Sequence, residues 1–95
     1  MASERTLQRY LINLARCHDI YARKVAAIGH TGFPDVFLAC KGRVIMVELK
    51  SPTGKGRLSR KQEREIERLR DENINVYVID SYDEADEVIK NLADA

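Results

Sequence analysis

Residues 34–50 read Pro-Asp-Val-Phe-Leu-Ala-Cys-Lys-Gly-Arg-Val-Ile-Met-Val-Glu-Leu-Lys, and this stretch decides the fold. Two β-rich runs, 36–40 and 43–49, flank Lys41-Gly42, a dipeptide that suits a tight hairpin turn. With the turn there, Cys40 faces Arg43 and, five residues back along each strand, Asp35 falls opposite Glu48. Opposed residues of an antiparallel pair have Cβ atoms about 4.5–5.5 Å apart and point to one face. Lys50, two residues past Glu48, shares that face. The register therefore predicts two carboxylates and one ammonium at one edge of a sheet, provided no bulge shifts the pairing. Val36, Leu38, Ile45, Val47 and Leu49 make one strand face apolar, and Phe37, Val44 and Met46 the other. Helices should then cover both sides.

Downstream of the hairpin, Ser51 to Leu58 holds Pro52, Gly54 and Gly56 and reads as a loop. Ser59 with Gln62 is a capping-box pattern opening a helix to about Glu72, with Ile66 and Leu69 inward and Asn73 as its stop. Val76 to Ile79 is a short buried strand. The strand at 43–50, this helix and this strand form a βαβ unit, whose strands should be parallel. Ser81 with Glu84 is a second capping-box pattern, and Ala85, Val88, Ile89 and Leu92 mark a last amphipathic helix. Upstream, Ser3 caps a first helix with Leu7, Leu11, Leu14 and His18 at helical spacing, ending near residues 17–19. Ile20 to Ala27 reads as a strand and Ile28 to Phe33 as a loop. The expected fold is α/β, ordered α-β-β-β-α-β-α, a mixed sheet flanked by helices in one domain over residues 1–95.

Two carboxylates this close at the end of a buried strand pair repel each other, and a divalent cation relieves that repulsion. Hard oxygen donors suit Mg²⁺ or Mn²⁺. Such an ion polarises a phosphoryl oxygen and lowers the pKa of a water, while Lys50 can hold the nucleophilic water or offset charge on the phosphorane. The chemistry that fits is in-line attack of water on a phosphodiester. The competing reading is a strand-end salt bridge among the same three residues.

Gly32-Phe33-Pro34-Asp35, Val47-Glu48-Leu49-Lys50-Ser51-Pro52, the loop Gly54 to Leu58 and Ser59 to Gln62 together resemble the VRR-NUC (virus-type replication-repair nuclease) family. That family belongs to the PD-(D/E)xK, or restriction-endonuclease-like, superfamily. The resemblance implies a catalytic set of Asp35, Glu48, Lys50, Gln62 and Glu4. It implies metal binding at Glu4, Asp35, Glu48 and Leu49, with Mg²⁺ or Mn²⁺ as cofactor. Thr31 stands where a common family form has Arg. Small stand-alone members, typical of phages, look like Holliday-junction resolvases acting as homodimers. The expected function is thus a metal-dependent, structure-selective DNA endonuclease that resolves four-way junctions. The alternatives are cleavage of flaps, ends or other DNA structures, and a non-catalytic DNA-binding module. Glu4 also suits a helix first turn by charge, and Gln62 suits a cap.

Composition agrees with a polyanion partner once its distribution is considered. Residues 1–70 carry 15 Lys/Arg and 7 Asp/Glu, a net of +8, and residues 71–95 carry one Lys and 8 Asp/Glu, a net of −7. Local field, not the net charge of +1, steers a phosphate backbone. Lys55, Arg57, Arg60 and Lys61 form a candidate phosphate-contact cluster, and Lys24 can join it. The loop lacks Walker spacing, so no nucleotide cofactor is expected. Cys17 and Cys40 lack metal-site spacing and are expected to be buried free thiols. His18 is expected to be a core histidine, and Tyr10 and Tyr21 core or dimer contacts. His30 precedes the Asp35 strand and carries no assigned role. No run approaches the ~18 apolar residues of a membrane span, and the charged start lacks a signal-peptide pattern, which points to an intracellular, cytoplasmic protein.

Overall fold

The computed structural model describes residues 3–26, 29, 31–54 and 56–94. Along the chain run α1 (Glu4–Cys17), β1 (Tyr21–Lys24), β2 (Val36–Cys40), β3 (Arg43–Leu49), α2 (Arg60–Asp71), β4 (Asn75–Ile79) and α3 (Tyr82–Ala93). The expected order α-β-β-β-α-β-α is the order found. The strands form one sheet in the order β1-β2-β3-β4. β1 and β2, and β2 and β3, are antiparallel, while β3 and β4 are parallel. In the hairpin Cys40 pairs with Arg43 and Val36 with Val47, with no bulge. Lys41 and Gly42 both take positive φ, +51° and +83°, as a tight two-residue turn with the twist of its strands requires.

The alternation of the strands divides the core in two. Val36, Leu38, Ile45, Val47 and Leu49 pack against Leu7, Leu11 and Ala15 of α1 and Ala85, Ile89 and Leu92 of α3. Met46 packs with Ile66 and Val76 on the opposite face, edged by Phe37, Phe33, Leu58 and Leu69. α1 and α3 therefore cover one face of the sheet and α2 the other. Every helix start is capped by a serine: Ser3 accepts from the Thr6 amide, Ser59 from Gln62 and Ser81 from Glu84.

Several expectations are corrected. β1 is four residues long instead of running to Ala27, a residue that lies outside those described. Just past Lys24, the Val25 amide donates to the Asp35 carbonyl at 2.8 Å. His18 is not in the core: α1 ends at Cys17, and His18 is its exposed C-cap. The buried stripe shifts to Ala15, one turn before the helix runs out. Cys17 is exposed and Cys40 half-buried. Tyr21 is exposed, edge-on to Phe37 and beneath the Arg23 guanidinium. Tyr10, by contrast, does pack against the core as expected, half-buried and edge-on to Tyr82, with its hydroxyl donating to Asp86. The second capping box is incomplete, because Glu84 Oε1 accepts from the Asp80 amide at 3.0 Å, one residue before the cap.

Candidate active site

The site forms where β3 ends. The hairpin register carries Asp35 to the start of β2, one position beyond the Val36–Val47 pair. There its carboxylate does what the next backbone carbonyl of β2 would have done: Oδ2 accepts the Leu49 amide at 3.0 Å. Pro34, which precedes it, is fully buried, so the chain enters β2 in a fixed direction. Asp35 is thereby oriented by the sheet itself.

Glu48 is 1% exposed. Its Oε2 accepts the Gln62 side-chain amide at 3.1 Å, and its Oε1 is buried with no hydrogen-bond partner among the described residues. Burial chiefly, and the Asp35 carboxylate next, push the Glu48 carboxyl up to about 8, against the opposing pull of the Lys50 ammonium; Glu4 adds a smaller push. Lys50, itself buried, donates to Gln62 Oε1 at 2.9 Å. The same Oε1 accepts the Ser59 amide at 2.8 Å, which completes the capping box of α2. Gln62 therefore caps its helix and, through the same side chain, links Glu48 to Lys50.

Glu4 approaches from the first turn of α1, on the other side of the sheet. Carboxylate oxygens of Glu4, Asp35 and Glu48 lie within 4.8 Å of one another. A cleft of about 320 Å³ opens on this group, lined by Glu4, Asp35, Leu49, Lys24, Arg5 and Gln8. This arrangement fits a divalent cation on two grounds. With all three carboxylates ionised beside one ammonium, two negative charges would be in excess; burial and Asp35 disfavour that state by holding Glu48 protonated, a divalent cation would offset it, and the donors are hard oxygens. Glu48 Oε1 is a buried acceptor, and among the described residues no hydrogen bond offsets its desolvation. Leu49 could contribute only its backbone, since its side chain is buried in the core.

The basic candidates separate into two banks. Lys24 sits in the cleft, on the α1 side of the sheet. Arg57, Arg60 and Lys61 are exposed on the α2 side, and Lys55 lies outside the described residues, as does His30. Gly32 fixes this second bank against the site. It has φ +93°, and a Cβ there would lie 2.8 Å from the Lys61 backbone. Sequence analysis overlooked a further set of cations, Arg5, Arg9 and Arg16. They share one side of α1, and spacing at 5, 9 and 16 is the signal that could have found them.

Comparison with known proteins agrees with this fold. The VRR-NUC domain family matches residues 5–83. A solved structure described as a VRR_NUC domain superposes with a TM-score of 0.83 at 27% identity, covering 95% of this chain and 97% of that one. No curated protein matches. The matched span contains the hairpin, Gln62 and all four strands, so the chain belongs to the VRR-NUC domain family, a family of nuclease domains.

Proposed function

We propose that this protein is a divalent-metal-dependent DNA endonuclease that hydrolyses phosphodiester bonds at Asp35, Glu48 and Lys50. The observation that carries the reading is the unpartnered, buried Glu48 Oε1 beside two other carboxylates and an ammonium held in place. Glu4, Asp35 and Glu48, with the Leu49 backbone, would hold Mg²⁺ or Mn²⁺. When bound, the ion supplies Lewis acidity toward a phosphoryl oxygen and neutralises charge that builds on it. Lys50 has three ammonium protons, one of them directed to Gln62, and the others can orient the attacking water and stabilise the phosphorane. Gln62 keeps that ammonium in position. Lys24, Lys55, Arg57, Arg60 and Lys61 bind backbone phosphates on either side of the scissile bond.

The preferred substrate in this reading is a four-way DNA junction, cut by a homodimer. Symmetry supports it: a two-fold dimer presents two identical sites to a substrate that is itself two-fold. The test is cleavage of a labelled synthetic four-way junction beside linear duplex, flap and single strand. Each is incubated with Mg²⁺, Mn²⁺ or chelator, using the wild type and Asp35→Ala. Paired metal-dependent cuts in the junction, lost in the variant, are expected. Metal-dependent cutting confined to other substrates overturns the junction assignment and retains the chemistry. Binding with no cleavage of any substrate overturns the enzyme.

A further inference from the structure

The outward side of α1 carries Arg5, Arg9 and Arg16, with Gln8 and Asn13 between them, and together with Lys24 of β1 these line a groove of about 450 Å³. Arg5, Gln8 and Lys24 line both this groove and the cleft over Asp35 and Glu4, so the two are continuous. None of the four cations is in an ion pair among the described residues, where the one such pair is Arg68–Glu72. No acidic side chain lines the groove. From Arg5 to Arg16 the helix rises about 16 Å. One DNA strand advances about 3.4 Å per phosphate along the duplex axis, so this length matches roughly five phosphates.

We infer that this groove is a track for one DNA strand, leading its backbone along α1 into the cleft. It deepens the endonuclease reading and rests on it for the direction of the track, since Arg5 and Lys24 stand where the strand meets the carboxylates. Arg9 and Arg16 lie beyond the reacting centre and hold the flanking phosphates by charge. Gln8 and Asn13 can hydrogen-bond to phosphate or sugar between them. The bank at Arg57, Arg60 and Lys61 lies on the other side of the sheet, so the two banks hold the nucleic acid on both sides of the cut.

The test uses fluorescein-labelled duplex and four-way-junction DNA, with affinity followed by anisotropy from 50 to 200 mM salt in Ca²⁺. Wild type is compared with Arg9→Gln/Arg16→Gln, with Arg9→Lys/Arg16→Lys, and with Arg68→Gln/Lys90→Gln, which removes equal charge elsewhere. Each phosphate contact contributes about −0.9 to the slope of log affinity against log salt on duplex DNA. The Gln/Gln variant of the track should therefore lose about two units of slope. Across the salt range the wild type should lose roughly tenfold more affinity than that variant. The Lys/Lys variant should keep the wild-type slope, and so should the Arg68/Lys90 control. In Mg²⁺, the track variant should raise KM with kcat unchanged. A slope unaltered in the track variant, or equally reduced in the control, overturns the track. Wild-type cleavage in the same assay reports on the endonuclease reading separately. A protein that binds with the expected slopes and never cuts sinks that reading and leaves the track standing.

Discussion

Gln62 shows how much one side chain can be asked to do. Its Oε1 accepts from both the Ser59 amide and the Lys50 ammonium, and its Nε2 donates a hydrogen bond to Glu48. Gln62→Ala should remove half a capping box and the link between two site residues together. Ser59→Ala should remove the cap alone, at a cost of about 1 kcal/mol. Both variants should lose roughly 4–8 °C in Tm. Cleavage measured well below both melting points should fall more than tenfold in Gln62→Ala and stay near wild type in Ser59→Ala. Equal activity losses would show that Gln62 acts only on the helix. Glu48 permits a second test. Burial and the Asp35 carboxylate push its carboxyl up to about 8 from an ordinary value of 4.5, so the fold favours the protonated form. The resulting penalty is absent below about pH 4.5, grows between the two values and is complete above about pH 8. In chelator, Tm should therefore fall as pH rises from 5 to 8, and Glu48→Gln should flatten the decline. Added Mg²⁺ should raise Tm more at pH 8 than at pH 5.5, because the ion binds the ionised form. A metal effect independent of pH would argue against Glu48 as a ligand.

At the level of elements, two glycines with nearly the same backbone angle separate two causes of strain. Gly42 has φ +83° and open space where a Cβ would go, whereas Gly32 has φ +93° and the Lys61 backbone 2.8 Å away. Gly42→Ala should cost about 1 kcal/mol for the dihedral alone. Gly32→Ala should cost more and should also reduce cleavage, because it pushes the Asp35 loop away from the start of α2. Equal Tm losses and unchanged cleavage would mean the loop yields without disturbing the site. Much of this architecture was legible in the sequence, because hairpin register is set by a two-residue turn and strand faces by alternation. Asp35, Glu48 and Lys50 fall together by counting alone. Glu4 comes from the far side of the sheet, and no local pattern announces that approach; only family resemblance pointed to it. His18, Cys17 and the length of β1 were misread because periodicity does not say where a helix or strand stops. Arg5, Arg9 and Arg16 were not legible as a set because exposed cations at helical spacing are ordinary on the solvated side of an amphipathic helix.

Across the whole molecule, the two helices covering one face of the sheet differ in charge, while α2 on the other face carries both signs. α3 carries Asp83, Glu84, Asp86 and Glu87, and it packs beside α1, whose outer side is basic. No helix of the described residues is long and apolar enough to cross a membrane. If the junction-cutting homodimer is right, light scattering should give about twice 10.9 kDa. A monomer mass at assay concentration would count against paired cuts and leave single-strand hydrolysis intact. The site also has a consequence for the order in which the chain acquires its properties. It is assembled from positions 4, 35, 48, 50 and 62, and only Asp35, Glu48 and Lys50 come together through one hairpin. Glu4 and Gln62 must cross from opposite sides of the sheet, and such distant contacts form after local helices and turns. A half-folded or still-growing chain would have the hairpin without the rest. Any hydrolytic power at this site would then arrive last in folding, and a nascent chain would be harmless to the DNA around it until the sheet was covered on both faces.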